Sequence, residues 1–299
     1  MDERVCYFNG EYVGEDNAKV SIVDWGFREG GVYEITRTYD RIPFRLDEHV
    51  DRLFRSLRCL PFIQISLTPR EVKNVTLELL KRNETCLGPE DDYSIIYRVT
   101  RDTLCIHMSP LSSGRFSGSY ESMAKLYRYG AHLVVASTRQ IPPQCLDPKI
   151  KHTNRLCNDL ADYEAKMVDP GAFALMLDIN GVAAECPTHN FFLVKEGRLF
   201  TPSLSSCLPG VSRQVVLELA NELDIEHYEK DIYVYDLYNA DEIILTATSF
   251  AIVPVSKFNS IRLPAPVPGP ITVRLQSAFS RIVGYDIVQR VLDYVVKKE

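Results

Sequence analysis

Lys151 and Glu185 are the two residues of this sequence whose types together could perform covalent chemistry. The amine of Lys151 can form a Schiff base with an aldehyde. A carboxylate such as that of Glu185, placed against a heteroaromatic nitrogen, can keep that nitrogen protonated. Each residue alone would more often be a solvated surface charge, because the chain has 34 basic and 40 acidic residues. A functional role for the pair therefore requires further residues of matching chemistry.

Two later segments offer groups that could bind a phosphate. Pro209-Gly210-Val211-Ser212 precedes a predicted helix, and the free N–H groups at a helix start attract anions. Thr246-Ala247-Thr248-Ser249 ends an apolar stretch with three hydroxyls. An ordinary helix start and an ordinary turn would explain either segment alone. Combined with a lysine and a carboxylate, however, a phosphate cradle is the chemical outline of a pyridoxal-phosphate site.

The composition is that of an acidic globular chain of 299 residues, of which 45% are hydrophobic. A net charge of -6 argues against nonspecific nucleic-acid binding. The charged first residues and the lack of a long apolar run predict a cytoplasmic protein without a membrane span. The eight cysteines form no Cys-x-x-Cys pair, so we expect reduced thiols and no metal site. No Gly-x-Gly-x-x-Gly, Walker or Gly-x-Ser-x-Gly motif supports a nucleotide-binding or serine-hydrolase function.

Helical signals stand out in the first third of the chain. Apolar residues recur at helical spacing at Val50, Leu53, Phe54 and Leu57. Asp47 is the candidate cap of that helix. Arg52 is predicted on the opposite face, which would expose it unless protein or a ligand covers that side. A second helix is predicted from Thr68-Pro69-Arg70-Glu71, a capping box with proline at the first helical position, through about Leu80.

Strands are predicted mainly in the later part of the chain. The β-rich stretches are 93–101, 131–138, 173–178, 190–195 and 242–248, and Asn180-Gly181 predicts a tight hairpin. Two apolar stripes predict further helices, one with Leu156, Leu160, Tyr163 and Met167 and one with Val211, Val215, Leu219 and Leu223. A Ser- and Gly-rich stretch predicts a linker. We therefore expect an α+β fold with a small N-terminal domain at 1–115, a linker at 116–130 and a large domain at 131–299.

Several motifs occur in the order typical of one enzyme family and together span nearly the whole chain. They lie at 24–34, 46–56, 147–151, 178–185, 190–192, 208–213 and 245–248. On these motifs the chain resembles the fold-type IV, or class IV, pyridoxal-phosphate enzymes. That family includes branched-chain and D-amino-acid aminotransferases, (R)-amine transaminases and aminodeoxychorismate lyase. The resemblance implies a small α/β domain followed by a larger domain with a β-barrel-like core.

The resemblance assigns catalytic and cofactor-binding roles residue by residue. Lys151 would hold pyridoxal 5'-phosphate as a Schiff base and then move a proton between substrate and cofactor. Glu185 would keep the pyridine nitrogen protonated. The groups that bind the phosphate would be the side chains of Arg52 and Thr248 and the N–H groups of Val211 and Ser212. Lys149 competes with Lys151, but the family's spacing from the lysine to the following helix favours Lys151.

Within the family the chain is most similar to the D-amino-acid and (R)-amine enzymes. Tyr33 matches a tyrosine of those enzymes, and the loop that begins at Arg139 is similar to the pocket loop of (R)-amine transaminases. Branched-chain enzymes typically have Phe-Glu-Gly-Ile-Arg where this chain has Tyr33-Glu34-Ile35-Thr36-Arg37, and a tyrosine where it has Leu156. We therefore expect a transaminase that moves an amino group between a D-amino acid or (R)-amine and a 2-keto acid.

Three alternatives stay open: a branched-chain L-amino-acid aminotransferase, an aminodeoxychorismate-type lyase, and a non-catalytic protein that kept the fold. The substrate side of the site would include Tyr33 and an arginine that binds the keto-acid carboxylate. The candidates are Arg28, Arg98 and Arg139. Arg139 is favoured because its loop closely precedes Lys151. The resemblance also implies a homodimer in which the loop of Arg28 approaches the partner's cofactor.

Overall fold

The computed structural model describes residues 3–114 and 118–297, which form two compact units. Unit 1 holds the described residues up to Ser119 together with Ile150–Asn154. Unit 2 holds Tyr120–Lys149 and the described residues from Arg155 onward. Of the linker expected at 116–130, residues 116 and 117 lie outside the described residues and Tyr120–Tyr129 form a helix of unit 2. That helix is amphipathic, because Tyr120, Met123, Ala124 and Tyr127 are buried at helical spacing.

Unit 1 contains a six-stranded antiparallel sheet in the order β2-β1-β6-β5-β3-β4. The strands are β1 Val5–Phe8, β2 Glu11–Gly14, β3 Val32–Tyr39, β4 Ile42–Pro43, β5 Tyr93–Val99 and β6 Leu104–Pro110. The helices are α1 Gly26–Glu29, α2 Leu46–Arg58 and α3 Pro69–Arg82. The core forms where the apolar sides of α2 and α3 pack on the sheet, through residues that include Leu53, Val72, Leu79, Ile95 and Tyr97.

The capping predictions for the two long helices of unit 1 had different outcomes. The capping box of α3 is confirmed, because Thr68 Oγ1 accepts from the N–H of Glu71 and the Glu71 carboxylate accepts from the N–H of Thr68. The predicted cap of α2 is wrong. Arg45 precedes that helix with a φ of 52°, and Asp47 is already helical and forms an ion pair with Lys73.

Unit 2 contains a nine-stranded mixed sheet in the order β12-β11-β10-β13-β14-β7-β8-β9, with β15 paired to β14. The strands are β7 Ala131–Val135, β8 Ala172–Leu177, β9 Ala183–Glu185, β10 Asn190–Lys195, β11 Arg198–Thr201, β12 His227–Glu229, β13 Glu242–Ala247, β14 Ala251–Phe258 and β15 Ile261–Arg262. The helices are α4 Tyr120–Tyr129, α5 Leu156–Val168, α6 Val211–Glu222, α7 Val234–Tyr238, α8 Pro270–Val283 and α9 Ile287–Val296.

The sheet of unit 2 curls until its two ends meet. The N–H of Ala183 in β9 donates to Ile232 O at 2.8 Å, and Val182 bridges to Tyr233. Ile232 and Tyr233 closely follow β12, which is at the other end of the strand order. Side chains on both faces of the central strands are buried, which explains why β10 and β13 are continuous apolar runs instead of alternating ones. The α+β fold with a β-barrel-like core is therefore confirmed.

Helix α5 turns its large apolar side chains away from the core of unit 2. The helix packs on β8 through the buried side chains of Ala161 and Ala165. The side chains of the predicted stripe, Leu156, Leu160, Tyr163 and Met167, are 73%, 49%, 63% and 71% exposed. The predicted helix is thus confirmed, whereas its apolar stripe is a surface of this chain. Among the residues that the structure describes, none of the helices has the length and apolar character needed to cross a membrane.

Candidate active site

A buried ion pair joins β3 to α2 in unit 1. Arg52 donates from Nε to Glu34 Oε2 at 2.8 Å and from Nη2 to Glu34 Oε1 at 2.6 Å. His49 Nδ1 lies 3.0 Å from Glu34 Oε1, and none of the three side chains is more than 4% exposed. Arg52 is therefore buried and not exposed, because β3 covers the side of α2 opposite its apolar stripe. His49, Arg52 and Ser56 form a second buried stripe of α2.

The cluster of Glu34, Arg52 and His49 carries one negative and one positive charge at pH 7. Burial alone would favour neutral Glu34, but the charge of Arg52 and the hydrogen bonds from Arg52 and His49 hold the pKa of Glu34 well below its ordinary value. Burial lowers the pKa of His49, an effect that Glu34 partly offsets and the nearby charges of Arg52 and Lys151 reinforce. His49 is therefore neutral at pH 7, and its Nδ1–H donates to the ionised carboxylate.

Lys151 lies on an edge of the unit 1 sheet. Its backbone pairs antiparallel with the start of β3, because the N–H of Tyr33 donates to Lys151 O at 3.0 Å and the N–H of Thr153 donates to Gly31 O at 2.8 Å. The N–H of Lys151 donates to Ser56 Oγ on α2 at 3.1 Å. Its Nζ lies 4.4 Å from the centre of the Tyr33 ring. Helix α2 thus contacts the backbone of Lys151 through Ser56 and carries Arg52 one turn earlier.

The two competing lysines differ in environment. Lys149 belongs to unit 2, is exposed, and pairs with Asp147 at 2.8 Å. Lys151 belongs to unit 1, is half-buried, and holds its amine over the face of an aromatic ring. The Asp147 carboxylate engages the amine of Lys149 and hinders its attack on an aldehyde. This contrast favours Lys151 as the reactive amine.

In unit 2, three neutral N–H donors contact the Glu185 carboxylate. Gln140 Nε2 lies 3.1 Å from Oε1, and the N–H of Leu208 and the Nδ2 of Asn190 lie 3.1 and 3.3 Å from Oε2. Glu185 is 9% exposed. These donors come from three separate loops or strands, and they orient the side chain as a hydrogen-bond acceptor. An acceptor is the form that a protonated ring nitrogen requires.

The start of α6 is open to an anion. The helix begins at Val211, and no described side chain caps its first turn after the N-cap residue Gly210. The N–H groups of Val211 and Ser212 are in that turn, where the helix dipole favours negative charge. A Cβ added at Gly210 would overlap Asn190 Oδ1, so the chain at this point requires glycine for space.

Thr248 is the first residue after β13 and lies half-buried in the turn that leads to β14. Of the three hydroxyls singled out in the sequence, that of Thr246 is used within the fold, because it donates to Ala251 O at 2.7 Å. Thr248 therefore fits a phosphate-binding role better than Thr246. Thr246 also pairs in register with Asn190, which connects this turn to the surroundings of Glu185.

The three candidate arginines lie in different places. Arg28 is exposed and stacks over Trp25 at 5.2 Å. Arg139 is exposed too, and its Nη1 donates to Ala136 O and Ser137 O at 3.0 and 3.1 Å, which gives it a local structural role. Arg98 is directly opposite Tyr33 in the β3–β5 ladder, so both side chains project from the same face of the sheet. Arg98 is the candidate whose cross-strand neighbour, Tyr33, contacts the Lys151 amine.

Sequence reasoning missed the residues that support the predicted ones. Glu34 and His49 hold Arg52, Ser56 holds the backbone of Lys151, and Gln140 and Asn190 hold Glu185. A signal existed for His49, because His49, Arg52 and Ser56 repeat at helical spacing. No local pattern could have paired Gln140 with Glu185, since the contact depends on how distant strands align.

Comparison with known proteins connects this geometry to one family. The family model described as amino-transferase class IV matches residues 31–258. A candidate branched-chain-amino-acid aminotransferase of Methanocaldococcus jannaschii is 36% identical over 281 residues, covering 92% of this chain and 95% of the relative. The D-alanine aminotransferase of Bacillus licheniformis is 28% identical, with 92% and 96% covered.

Solved structures agree with the sequence relatives. The crystal structure of the branched-chain amino acid aminotransferase of Escherichia coli superposes with a TM-score of 0.84 at 28% identity, and the match covers 94% of this chain and 95% of that one. The family match spans well over half of the chain, and the first relative exceeds 30% identity along nearly its whole length. The chain therefore belongs to the class IV aminotransferases, enzymes that use pyridoxal 5'-phosphate.

Proposed function

We propose that this aminotransferase binds pyridoxal phosphate through Lys151 at the aldehyde and Glu185 at the ring nitrogen. The groups proposed for the phosphate are Arg52, Thr248 and the N–H groups of Val211 and Ser212. The observation that carries the assignment is the environment of Lys151, a half-buried amine over the ring of Tyr33, in contrast to the exposed and ion-paired Lys149.

The residues present fit this cofactor. Its phosphate needs a guanidinium and free N–H groups, which are the groups that Arg52 and the uncapped start of α6 carry. Its ring nitrogen needs a hydrogen-bond acceptor, and neutral donors orient the Glu185 side chain as one.

When bound, pyridoxal phosphate supplies an aldehyde that can exchange amines and a ring that withdraws electrons. Lys151 Nζ would hold the aldehyde and, as a free amine, would move the proton at the substrate carbon. Glu185 would keep a proton at the ring nitrogen. Tyr33 restricts the Lys151 amine to one side of its ring. Arg52 and Thr248 fix the phosphate, so that the reacting atoms keep their positions.

Arg98 is our proposal for the residue that binds the substrate carboxylate. Its place opposite Tyr33 puts a guanidinium on the face of the sheet that also carries the Lys151 amine. Arginine binds a carboxylate through two parallel hydrogen bonds, so it both attracts and orients an amino acid or a 2-keto acid. The local carbonyl contacts of Arg139 support Arg98 over our first choice from the sequence.

For the amino donor, the relatives and the sequence motifs support different proposals. Relatives named as branched-chain aminotransferases, led by the one at 36% identity, support an L-branched-chain donor as the first candidate. Tyr33, Leu156 and the loop after Arg139 depart from that subgroup, and the D-alanine aminotransferase relative supports a D-amino acid or (R)-amine as the second candidate. In both cases the acceptor is a 2-keto acid.

A single-turnover screen decides between these donors. The enzyme is mixed separately with L-leucine, D-leucine, D-alanine and (R)-1-phenylethylamine, and the loss of the visible absorption of bound cofactor is followed. L- and D-leucine are a matched pair, since they differ only in handedness. Faster loss with L-leucine supports the first candidate, and faster loss with the D-amino acids or the amine supports the second. A separate incubation with aminodeoxychorismate tests the lyase alternative, because release of pyruvate from that substrate without formation of pyridoxamine phosphate would indicate a lyase.

We also propose that the active form is a homodimer that covers the exposed stripe of α5. Four large apolar side chains lie exposed along one side of this helix, and such a continuous patch is typical of an interface. A second copy is the partner that the family resemblance implies. Light scattering at native concentration tests the proposal, because a mass equal to one chain in an active sample would contradict it.

A reducing compartment such as the cytoplasm is our proposal for the location. All eight cysteines are free thiols, and Cys6, Cys186 and Cys207 are buried. Burial raises the pKa of the Cys186 thiol well above its ordinary value, which disfavours the reactive thiolate. Cell fractionation tests this proposal, and recovery in an oxidising compartment would contradict it.

A further inference from the structure

We propose that Asn190 is a positioning residue of the cofactor site, which fixes the spacing between the Glu185 carboxylate and the start of α6. The proposal rests on the proposed function, in which Glu185 binds the ring nitrogen and the start of α6 binds the phosphate. These two groups are at opposite ends of the same small molecule. The distance between their protein partners therefore has to be set by the protein.

Asn190, Leu208 and Glu185 form a closed ring of hydrogen bonds. Asn190 Nδ2 donates to Glu185 Oε2 at 3.3 Å and to Leu208 O at 3.0 Å. The N–H of Leu208 completes the ring by donating to the same Glu185 Oε2 at 3.1 Å. A shift of any one member strains two of the three bonds. Since α6 begins shortly after Leu208, the ring connects the carboxylate to the helix start.

The other end of the Asn190 amide touches the helix start directly. A Cβ added at Gly210, the N-cap of α6, would overlap Asn190 Oδ1. Gly210 has a φ of -66° and a ψ of 132°, which any residue adopts, so glycine is required there for space and not for backbone conformation. One amide thus contacts Glu185 through its nitrogen and Gly210 through its oxygen.

Asn190 itself is held on a rigid element. It is the first residue of β10, is 7% exposed, and pairs in register with Thr246 of β13. Only asparagine combines this length with two donors and an acceptor. Aspartate would place a second carboxylate against Glu185, and leucine would leave Leu208 O without its side-chain donor.

A purely structural role for Asn190 makes different predictions from a positioning role. Loss of a buried amide that only supports the fold would lower thermal stability and leave cofactor-specific quantities unchanged. Two quantities report on position. The first is the ratio of the Kd for pyridoxal to the Kd for pyridoxal phosphate, which isolates the phosphate contribution. The second is the pH midpoint of the visible absorption band of the bound cofactor, which responds to the group at the ring nitrogen.

The experiment compares four variants of the full-length chain with the wild type. Asn190→Ala removes the side-chain amide. Gly210→Ala adds a methyl group that displaces this amide while residue 190 stays asparagine. The double variant Gly210→Ala/Asn190→Ala removes both the overlap and the amide. Asn221→Ala is the control, because Asn221 is an exposed amide on the same helix α6 that donates to Leu217 O at 3.2 Å. Both Kd values come from absorption titration of the apoprotein, and melting temperatures are recorded in parallel.

We expect Asn190→Ala and Gly210→Ala each to weaken pyridoxal phosphate binding roughly tenfold, or about 1.4 kcal/mol. Both should lower the Kd ratio and shift the pH midpoint, whereas Asn221→Ala should change neither. The double variant should be no worse than Asn190→Ala alone, because the added methyl then no longer overlaps the Asn190 amide and keeps only a contact of 3.3 Å with Arg213 Cβ. Losses that simply add in the double variant, or a fall in melting temperature with both cofactor quantities unchanged, would overturn the proposal.

Glu185→Gln keeps this inference distinct from the proposed function. If Glu185→Gln leaves the pH midpoint unchanged, the assignment of Glu185 to the ring nitrogen fails and the positioning role of Asn190 falls with it. If Glu185→Gln shifts the midpoint and Asn190→Ala does not, only the positioning role is wrong.

Discussion

Glu34 binds Arg52 side-on, with two hydrogen bonds of 2.8 and 2.6 Å in the buried interior of unit 1. Side chains along β3 alternate between the two faces of the sheet, which connects this pair to the Lys151 amine. Tyr33 and Glu34 are neighbours in β3, so Tyr33 faces the Lys151 amine while Glu34 faces α2 and Arg52. One dipeptide therefore contacts both the proposed amine and the proposed phosphate ligand. The position of Arg52 depends on the register of a strand and a helix, not on its local sequence.

The buried pair predicts a defined dependence of stability on pH. The folded pKa of Glu34 lies below its ordinary value, so its stabilising effect is complete above the ordinary glutamate pKa and is lost as the pH falls towards the folded value. Glu34→Gln leaves Arg52 buried without its counter-charge, which should cost about 3–5 kcal/mol at pH 7. Urea unfolding from pH 7 downward should show the gap between wild type and variant closing by about 1.4 kcal/mol per pH unit below that ordinary pKa.

A surface pair provides the control for this prediction. Glu15 pairs with Arg4 at 2.6 Å, but both side chains are partly exposed. Glu15→Gln should change the free energy of unfolding by less than about 1 kcal/mol, because water screens the pair. Equal losses for Glu15→Gln and Glu34→Gln, or a gap that widens in acid, would contradict our account of the buried pair.

The substrate arginine is tested by Arg98→Lys and Arg139→Lys. Lysine keeps the charge but cannot form two parallel hydrogen bonds with a carboxylate. Arg98→Lys should weaken use of a 2-keto acid by about 1.5–3 kcal/mol and leave the half-reaction with a carboxylate-free amine almost unchanged. Arg139→Lys should affect neither reaction, because the Arg139 side chain bonds to carbonyls of its own loop. A selective loss in Arg139→Lys would return the carboxylate site to that loop.

Glu185→Gln separates electronic effects from binding. The glutamine keeps the shape of the side chain but offers the ring nitrogen a neutral partner, so negative charge that develops on the substrate is less stabilised. We expect the cofactor still to bind and single-turnover rates to fall roughly hundredfold or more, the size typical for loss of one stabilising group. Rates equal to those of the wild type would refute the role of Glu185.

The exposed stripe of α5 predicts where the dimer forms. Leu160→Glu places a charge in the middle of the proposed interface and should shift the mass measured by light scattering from two chains to one. Leu77→Glu is the matched control, since Leu77 is an exposed leucine of similar accessibility on α3 in unit 1. A dimer that persists in Leu160→Glu would show that α5 is not the contact.

Local sequence patterns predicted the elements that depend on local chemistry. The capping box defined the start of α3, and the predicted strand 190–195 coincides with β10. The pattern failed where the partner of a residue is distant. Arg52 looked solvent-exposed because its counter-charge, Glu34, is in another element, and α4 was obscured by the Ser- and Gly-rich stretch before it.

The residues of the candidate site also divide into those that local sequence reveals and those that depend on distant contacts. Lys151, Glu185 and Arg52 could be named from motifs, whereas Gln140, Asn190 and Ser56 could not. Each of these three supports a named residue through a contact set by strand register or helix packing. Helix α5 adds a further case, because periodicity predicts an apolar stripe but not whether the stripe faces the chain's own core or a partner.

Chemical mapping of the reactive lysine tests the central claim most directly. Borohydride reduction converts a Schiff base between cofactor and lysine into a stable amine, and peptide mass mapping then locates the modified residue. We predict that the modification is on Lys151, that Lys149→Ala leaves it there, and that Lys151→Ala abolishes both the modification and turnover. A cofactor-derived mass on Lys149, or on neither lysine of an active enzyme, would contradict the account.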